Sequence, residues 1–166
     1  MRMVFGMTDL TPIHLIVLAG FVPVSIALSW IDIRQHRLPD RVVLPSIAAA
    51  VLAAGADAIW QGDLWLIVRV LSGGAILFTA LLVLALARPA AVGGGDVKLI
   101  ALTGALTAWS GWETLALGVC AAFLIAGLVA IALMLARRAT RATALAFGPF
   151  LCAGAWAAIV ADLVTG

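Results

Sequence analysis

Long uncharged stretches alternate with short charged ones along this chain, and that alternation predicts its elements. Residues 10–31 run for 22 positions without a formal charge, with Pro23 placed to kink them. Residues 42–60 give 19, interrupted by Asp57 near the end, and Leu64–Ala87 gives 24 with Arg69 one turn in. Residues 114–136 and 142–161 are uncharged over 23 and 20 positions. Each meets the need of a membrane-crossing helix for about 20 mostly apolar residues. A sixth stretch, 97–112, has only 16 residues. As a helix it would reach about 24 Å, against about 30 Å of hydrocarbon.

The basic residues decide whether that short stretch spans. If it does, the loops at 32–41, 88–96 and 137–141 share one side, and with Lys98 they gather eight of the ten basic residues. Only Arg2 and Arg69 are then left elsewhere. Basic loops are retained in the cytoplasm, so the sequence predicts six transmembrane helices, with both termini outside and those three loops cytoplasmic. Without the sixth span, Arg137, Arg138 and Arg141 would land outside. Local thinning of the bilayer, or water entering from the cytoplasmic side, would accommodate its length. Arg34, Arg37 and Arg41 directly follow the first span and oppose translocation, which argues for a retained helix rather than a cleaved signal peptide. No linker divides the chain. The expectation is one all-α, polytopic domain over residues 1–166.

Composition agrees and narrows the function. Hydrophobic residues make up 65 % of the chain and charged residues 11 %, against about 45–50 % and about 25 % in soluble domains. A net charge of +2 with no basic stripe excludes a nucleic-acid footprint. Cys120 and Cys152 lie within apolar runs and form no CxxC pair, so neither a zinc site nor a disulfide framework is expected. The few charges at the membrane edge are then the functional candidates.

Asp32 closes the first span, and Asp96 opens the fourth after Gly93-Gly94-Gly95. The topology puts both carboxylates at the cytoplasmic border, at one depth. Two close carboxylates push their pKa values apart and can share a proton. One can then activate water while the other donates to a carbonyl or leaving amine, which is aspartic-protease chemistry. A glycine run lets another chain approach closely and leaves helix N-terminal N–H groups for a carboxylate. On topology alone, interfacial anchors are an equally open reading of the pair.

The wider pattern is more specific. Asp32 and Asp40 bracket seven residues ending in Leu38-Pro39; Gly93-Gly94-Gly95-Asp96-Val97-Lys98 follows, and Phe147-Gly148-Pro149-Phe150 comes late. This resembles the type IV prepilin peptidase family, one of the G-x-G-D aspartyl proteases, with its D-x₆-[IL]-P-D pattern and late F-G-P-F element. The resemblance runs from about residue 13 to about residue 160. It implies that Asp32 and Asp96 are the catalytic pair, with Gly93 and Gly95 as the motif's fixed glycines. Pro39 and Asp40 match the rest of the first motif, with Asp40 outside the catalytic pair and suited to the first turn of the second helix. Lys98 is read either as orienting Asp96 and stabilising charge, or as an anchor on the inner side.

The resemblance implies an endopeptidase of the inner membrane that cleaves leader peptides of prepilins or pseudopilins after a glycine. It needs no metal, other cofactor or covalent intermediate. Bifunctional members carry paired CxxC motifs linked to N-methylation. This sequence has none, so no methyltransferase domain is expected, and the closer likeness is to the peptidase-only enzymes of Tad/Flp systems. The partners expected are the prepilin and the lipid bilayer, with no nucleic acid; a homo-oligomer stays open. Rival readings are a presenilin-like intramembrane protease, a small ion transporter or channel using the same aspartates, and a purely structural assembly subunit that would tolerate loss of both. A divalent-ion site completed by Asp40 is a lesser alternative.

Smaller signals are read structurally. His36 suits a solvated loop, and His14 receives no role. Asp57 and Arg69 could pair between adjacent helices near the outer face. Trp60, Trp65, Trp109 and Trp112 suit an aromatic belt, and Gly104, Gly118, Gly127 and Gly154 suit close helix packing.

Overall fold

The computed structural model describes residues 11–35, 38–88, 93–137 and 146–165, and their regular structure is entirely helical. In order come α1 (Pro12–Gln35), α2 (Asp40–Gln61), α3 (Leu64–Ala87), α4 (Gly94–Ser110), α5 (Trp112–Leu135) and α6 (Gly148–Thr165). Local chemistry sets several of their ends. Pro12 opens α1, where a missing N–H costs nothing, and the Thr11 hydroxyl accepts from His14 N–H at 3.1 Å. At the end of α2, Gly62 turns into the left-handed region with φ 69°, and Asp63 N–H reaches back to the Ala58 carbonyl. Asp63 at once caps α3, accepting from Trp65 N–H at 3.0 Å. Arg2, His36, Arg37, Arg138 and Arg141 lie outside the described residues.

Five helices, α1, α2, α3, α5 and α6, are long and apolar enough to cross a membrane. The chain is thus an all-helical, polytopic membrane protein, as its hydrophobic pattern predicts. The short stretch folds as α4, 17 residues or about 25 Å of helix. Its surroundings are protein: α2, α3, α5 and α6 all pack on it, and Leu99, Leu102, Leu106, Ala108 and Trp109 are buried. A helix sheathed by other helices need not match the hydrocarbon thickness. Enclosure by neighbouring helices thus gives a further account of its length.

α4 also runs from one end of the bundle to the other. Lys98, near its start, meets Asp40 at the start of α2, while Trp109, near its end, meets Asp57 close to the end of α2. It therefore lies parallel to a helix that crosses. Glycines permit the approach of its neighbours. A Cβ at Gly104 would fall 2.8 Å from Leu77 Cδ1, and one at Gly74 would fall 3.0 Å from the Ala101 carbonyl oxygen. Between α5 and α6, a Cβ at Gly154 would fall 2.5 Å from Gly118 O and from Ala122 N. Gly127 is different: among the described residues nothing lies within 4 Å of its Cβ position.

The end of the bundle away from Asp32 departs from expectation in three ways. Trp60, Trp65 and Trp112 are exposed, as a belt requires, but Trp109 is 2 % exposed and belongs to the core. Asp57 does not pair with Arg69. Its Oδ2 accepts from Trp109 Nε1 at 3.0 Å and from Gln61 Nε2 at 2.9 Å. Arg69 donates to the carbonyls of Ala108 and Trp109 at 2.7 and 2.6 Å. The reason is that the last carbonyls of a buried helix need donors, and a guanidinium supplies several in a fixed fork. His14, given no role above, stacks on Trp109 with centroids 4.8 Å apart.

Candidate active site

Asp32 sits in the last turn of α1 and is buried, 5 % exposed. This is an uncomfortable place for a carboxylate, since the carbonyl end of its own helix is the negative end. α6 answers from across the bundle: Gly148 N–H, at the start of that helix, donates to Asp32 Oδ2 at 2.9 Å. The positive end of α6 thus faces the acid that α1 presents.

Asp96 stands in the first turn of α4, just before the apolar stretch that begins at Val97. Here the carboxylate lies at the favourable end of its own helix, and Gly93 N–H donates to it. Burial and the nearby Asp32 carboxylate nonetheless push Asp96 up to about 6, outweighing the Gly93 bond. Two aspartates 64 residues apart in sequence are therefore close enough for the charge of one to act on the other.

The glycines divide by what surrounds them. A Cβ at Gly93 would meet Asp96 Oδ2 at 3.2 Å, and one at Gly95 would meet Leu38 Cβ at 2.9 Å. Gly94 has nothing within 4 Å. Gly95 thus lets Leu38 lie against the first turn of α4, and the next residue, Pro39, is the N-cap of α2, its carbonyl accepting from Val42 and Val43. Asp40 follows in the first turn of α2 and forms an ion pair with Lys98 at 2.6 Å. This ion pair ties the starts of α2 and α4 together at that end of the bundle.

Asp32, Asp96, Gly93, Gly95, Pro39, Asp40 and Lys98 all fall at one end of the bundle. Among the described residues, no three His, Cys, Asp or Glu side chains gather as metal ligands would. With Asp40 held by Lys98, the arrangement suits direct acid–base work by two carboxylates on a bound water. The contribution of Gly148 escapes sequence reasoning because a backbone N–H leaves no side-chain signature. The late F-G-P-F element was the available signal, since a proline just inside a helix start marks an N-terminus.

Comparison with known proteins bears on this geometry. The model of the type IV leader peptidase family matches residues 19–135. A prepilin leader peptidase/N-methyltransferase of Pseudomonas putida is 32 % identical over 136 residues, covering 81 % of this chain and 46 % of the relative. One of Bacillus subtilis strain 168 is 32 % identical over 137 residues, covering 81 % and 51 %. That of Pseudomonas aeruginosa PAO1 is 28 % identical over 135 residues, covering 81 % and 46 %. The chain spans about half the length of the curated relatives it matches. No solved structure matches it significantly.

Proposed function

The chain belongs to the type IV leader peptidase family, and from that premise we propose that it is an aspartic endopeptidase of the inner membrane that cleaves leader peptides from prepilins or pseudopilins. The proposal concerns peptidase activity alone. It follows the names of the relatives, which are prepilin leader peptidases. The observation that carries it to particular residues is the convergence of Asp32 on α1 and Asp96 on α4 at one end of the bundle.

The geography suits such a substrate. A prepilin has a short basic leader followed by an apolar helix, so its scissile bond falls at the cytoplasmic membrane border. The positive-inside distribution puts Asp32 and Asp96 at that border, with both termini on the opposite side. Water would attack the scissile carbonyl carbon, giving one proton to the ionised aspartate. The protonated aspartate would donate first to the carbonyl oxygen, and a proton would reach the leaving amine as the C–N bond breaks. Asp96, held up to about 6, is suited to the acid role. Both carboxylates lie at helix ends rather than midway along a helix, which disfavours an ion pathway through the bundle.

The test is reconstitution. The purified protein in liposomes, mixed with a prepilin of the Tad/Flp type, should release one leader fragment, read by mass spectrometry, at a rate that EDTA leaves unchanged. A prepilin returned intact, or a rate abolished by EDTA, would contradict the proposal.

A further inference from the structure

The two aspartates are unequally provided for by their own helices, and the difference points to a residue outside the G-x-G-D element. Asp96 belongs to the N-terminal turn of α4 and receives the N–H of Gly93 within its own cap. Asp32 belongs to the C-terminal turn of α1, where no backbone N–H is free and the helix end is negative. Its carboxylate must be held by another element, and α6 holds it through Gly148 N–H at 2.9 Å.

Gly148 is also fitted to this by what it lacks. A Cβ there would lie 2.7 Å from Asp32 Oδ2, 3.2 Å from Cγ and 3.4 Å from Cβ of Asp32. Those atoms are the carboxylate and its stem, which have little room to retreat because Asp32 is buried. Pro149 follows within α6 and has no N–H, while the N–H groups of Phe150 and Leu151 return to the Phe147 carbonyl. Among the described residues, Gly148 is thus the free donor of that helix start.

We propose that Gly148 is a positioning residue for the reaction: its N–H and its bare α-carbon together fix the Asp32 carboxylate in the orientation from which it acts on the substrate. The inference rests on reading Asp32 as one of the catalytic pair. It implies that the α6 start is part of the working site through its main chain at Gly148. α6 therefore contributes to turnover rather than to substrate capture.

The experiment is a comparison of two identical changes on one helix, measured as leader cleavage in liposomes together with thermal unfolding. Gly148→Ala should lower kcat about a hundredfold with KM for the prepilin within about twofold of wild type. Gly154→Ala, whose added methyl meets the backbone of α5 instead, should lower Tm and leave kcat within the same order. A Gly148→Ala enzyme with wild-type kcat, or with its loss confined to KM, overturns the proposal.

A second measurement holds even if Gly148→Ala fails to fold. In otherwise unaltered protein labelled with ¹³C′-phenylalanine and ¹⁵N-glycine, a carbonyl-filtered spectrum selects the amides of Phe5–Gly6 and Phe147–Gly148; the latter, assigned by removing the former with Gly6→Ala, should lie downfield. It should move upfield in Asp32→Ala; an unmoved signal overturns the proposal. Asp32→Asn separates the two claims. If that variant still cleaves, the catalytic pair is wrong; if it is inactive while Gly148→Ala cleaves normally, only the role of Gly148 falls.

Discussion

Asp96 shows how a residue proposed for catalysis can oppose the stability of its own fold. Its pKa is raised on folding to about 6, from an ordinary value of about 4. A raised acid binds its proton more tightly in the folded state, so the associated stability is fully present at low pH and is lost as pH rises through about 6. Asp96→Asn should therefore raise Tm at pH 7.5 by several degrees, with the gain disappearing near pH 4, while abolishing cleavage. An equal gain at both pH values would contradict the assignment. Lys98→Met removes an ion pair whose side chains are 36 % and 55 % exposed, and should cost no more than about 1 kcal/mol in a denaturant titration. A larger loss would mean that the tie between α2 and α4 does more than this exposure allows. At this scale the acids were legible because charges are so scarce, and Gly148 was not, because its contribution is a main-chain N–H.

Helices are held here by different devices at their two ends. At the far end of α4, Arg69 supplies donors to two terminal carbonyls while Trp109 engages Asp57 and His14. Arg69→Met leaves those carbonyls unpaired and should destabilise the protein by about 2–3 kcal/mol, measured by unfolding in mixed micelles. A change below about 0.5 kcal/mol would contradict this anchoring. Glycines offer a paired test of opposite sign. Gly127→Ala, with open space around its Cβ position, should stabilise by about 0.5–1 kcal/mol. Gly154→Ala, which meets backbone at 2.5 Å, should destabilise by about 1–3 kcal/mol. The same sign for both would show that these packing distances do not govern stability. The apolar runs made the helices legible, with α2 and α3 bounded by Gly62 and Asp63 as turn chemistry requires. They could not show which face of a helix meets protein and which meets lipid, since both are apolar. Trp109 was misplaced among belt residues, and Asp57 with Arg69 as a pair, for that reason.

Across the whole molecule, the few charges gather at the two ends of the bundle, and the proposed chemistry draws on one of those groups. Lys98, Asp40, Asp32 and Asp96 mark one end of the bundle, and Asp57 and Arg69 the other. The central position of α4 was invisible in sequence, where it read as the weakest span because it is the shortest. Its shortness follows from being enclosed by α2, α3, α5 and α6. That enclosure gives α4 a fixed axial position, and with it a fixed place for Asp96 beside the end of α1. The most direct measurement of the central claim is prepilin cleavage in liposomes by wild type, Asp32→Asn and Asp96→Asn, each shown by unfolding to be intact. Wild type should release the leader, and both variants should lose at least about a thousandfold in rate. Cleavage at the wild-type rate by either intact variant would contradict the assignment of Asp32 and Asp96 as the catalytic pair.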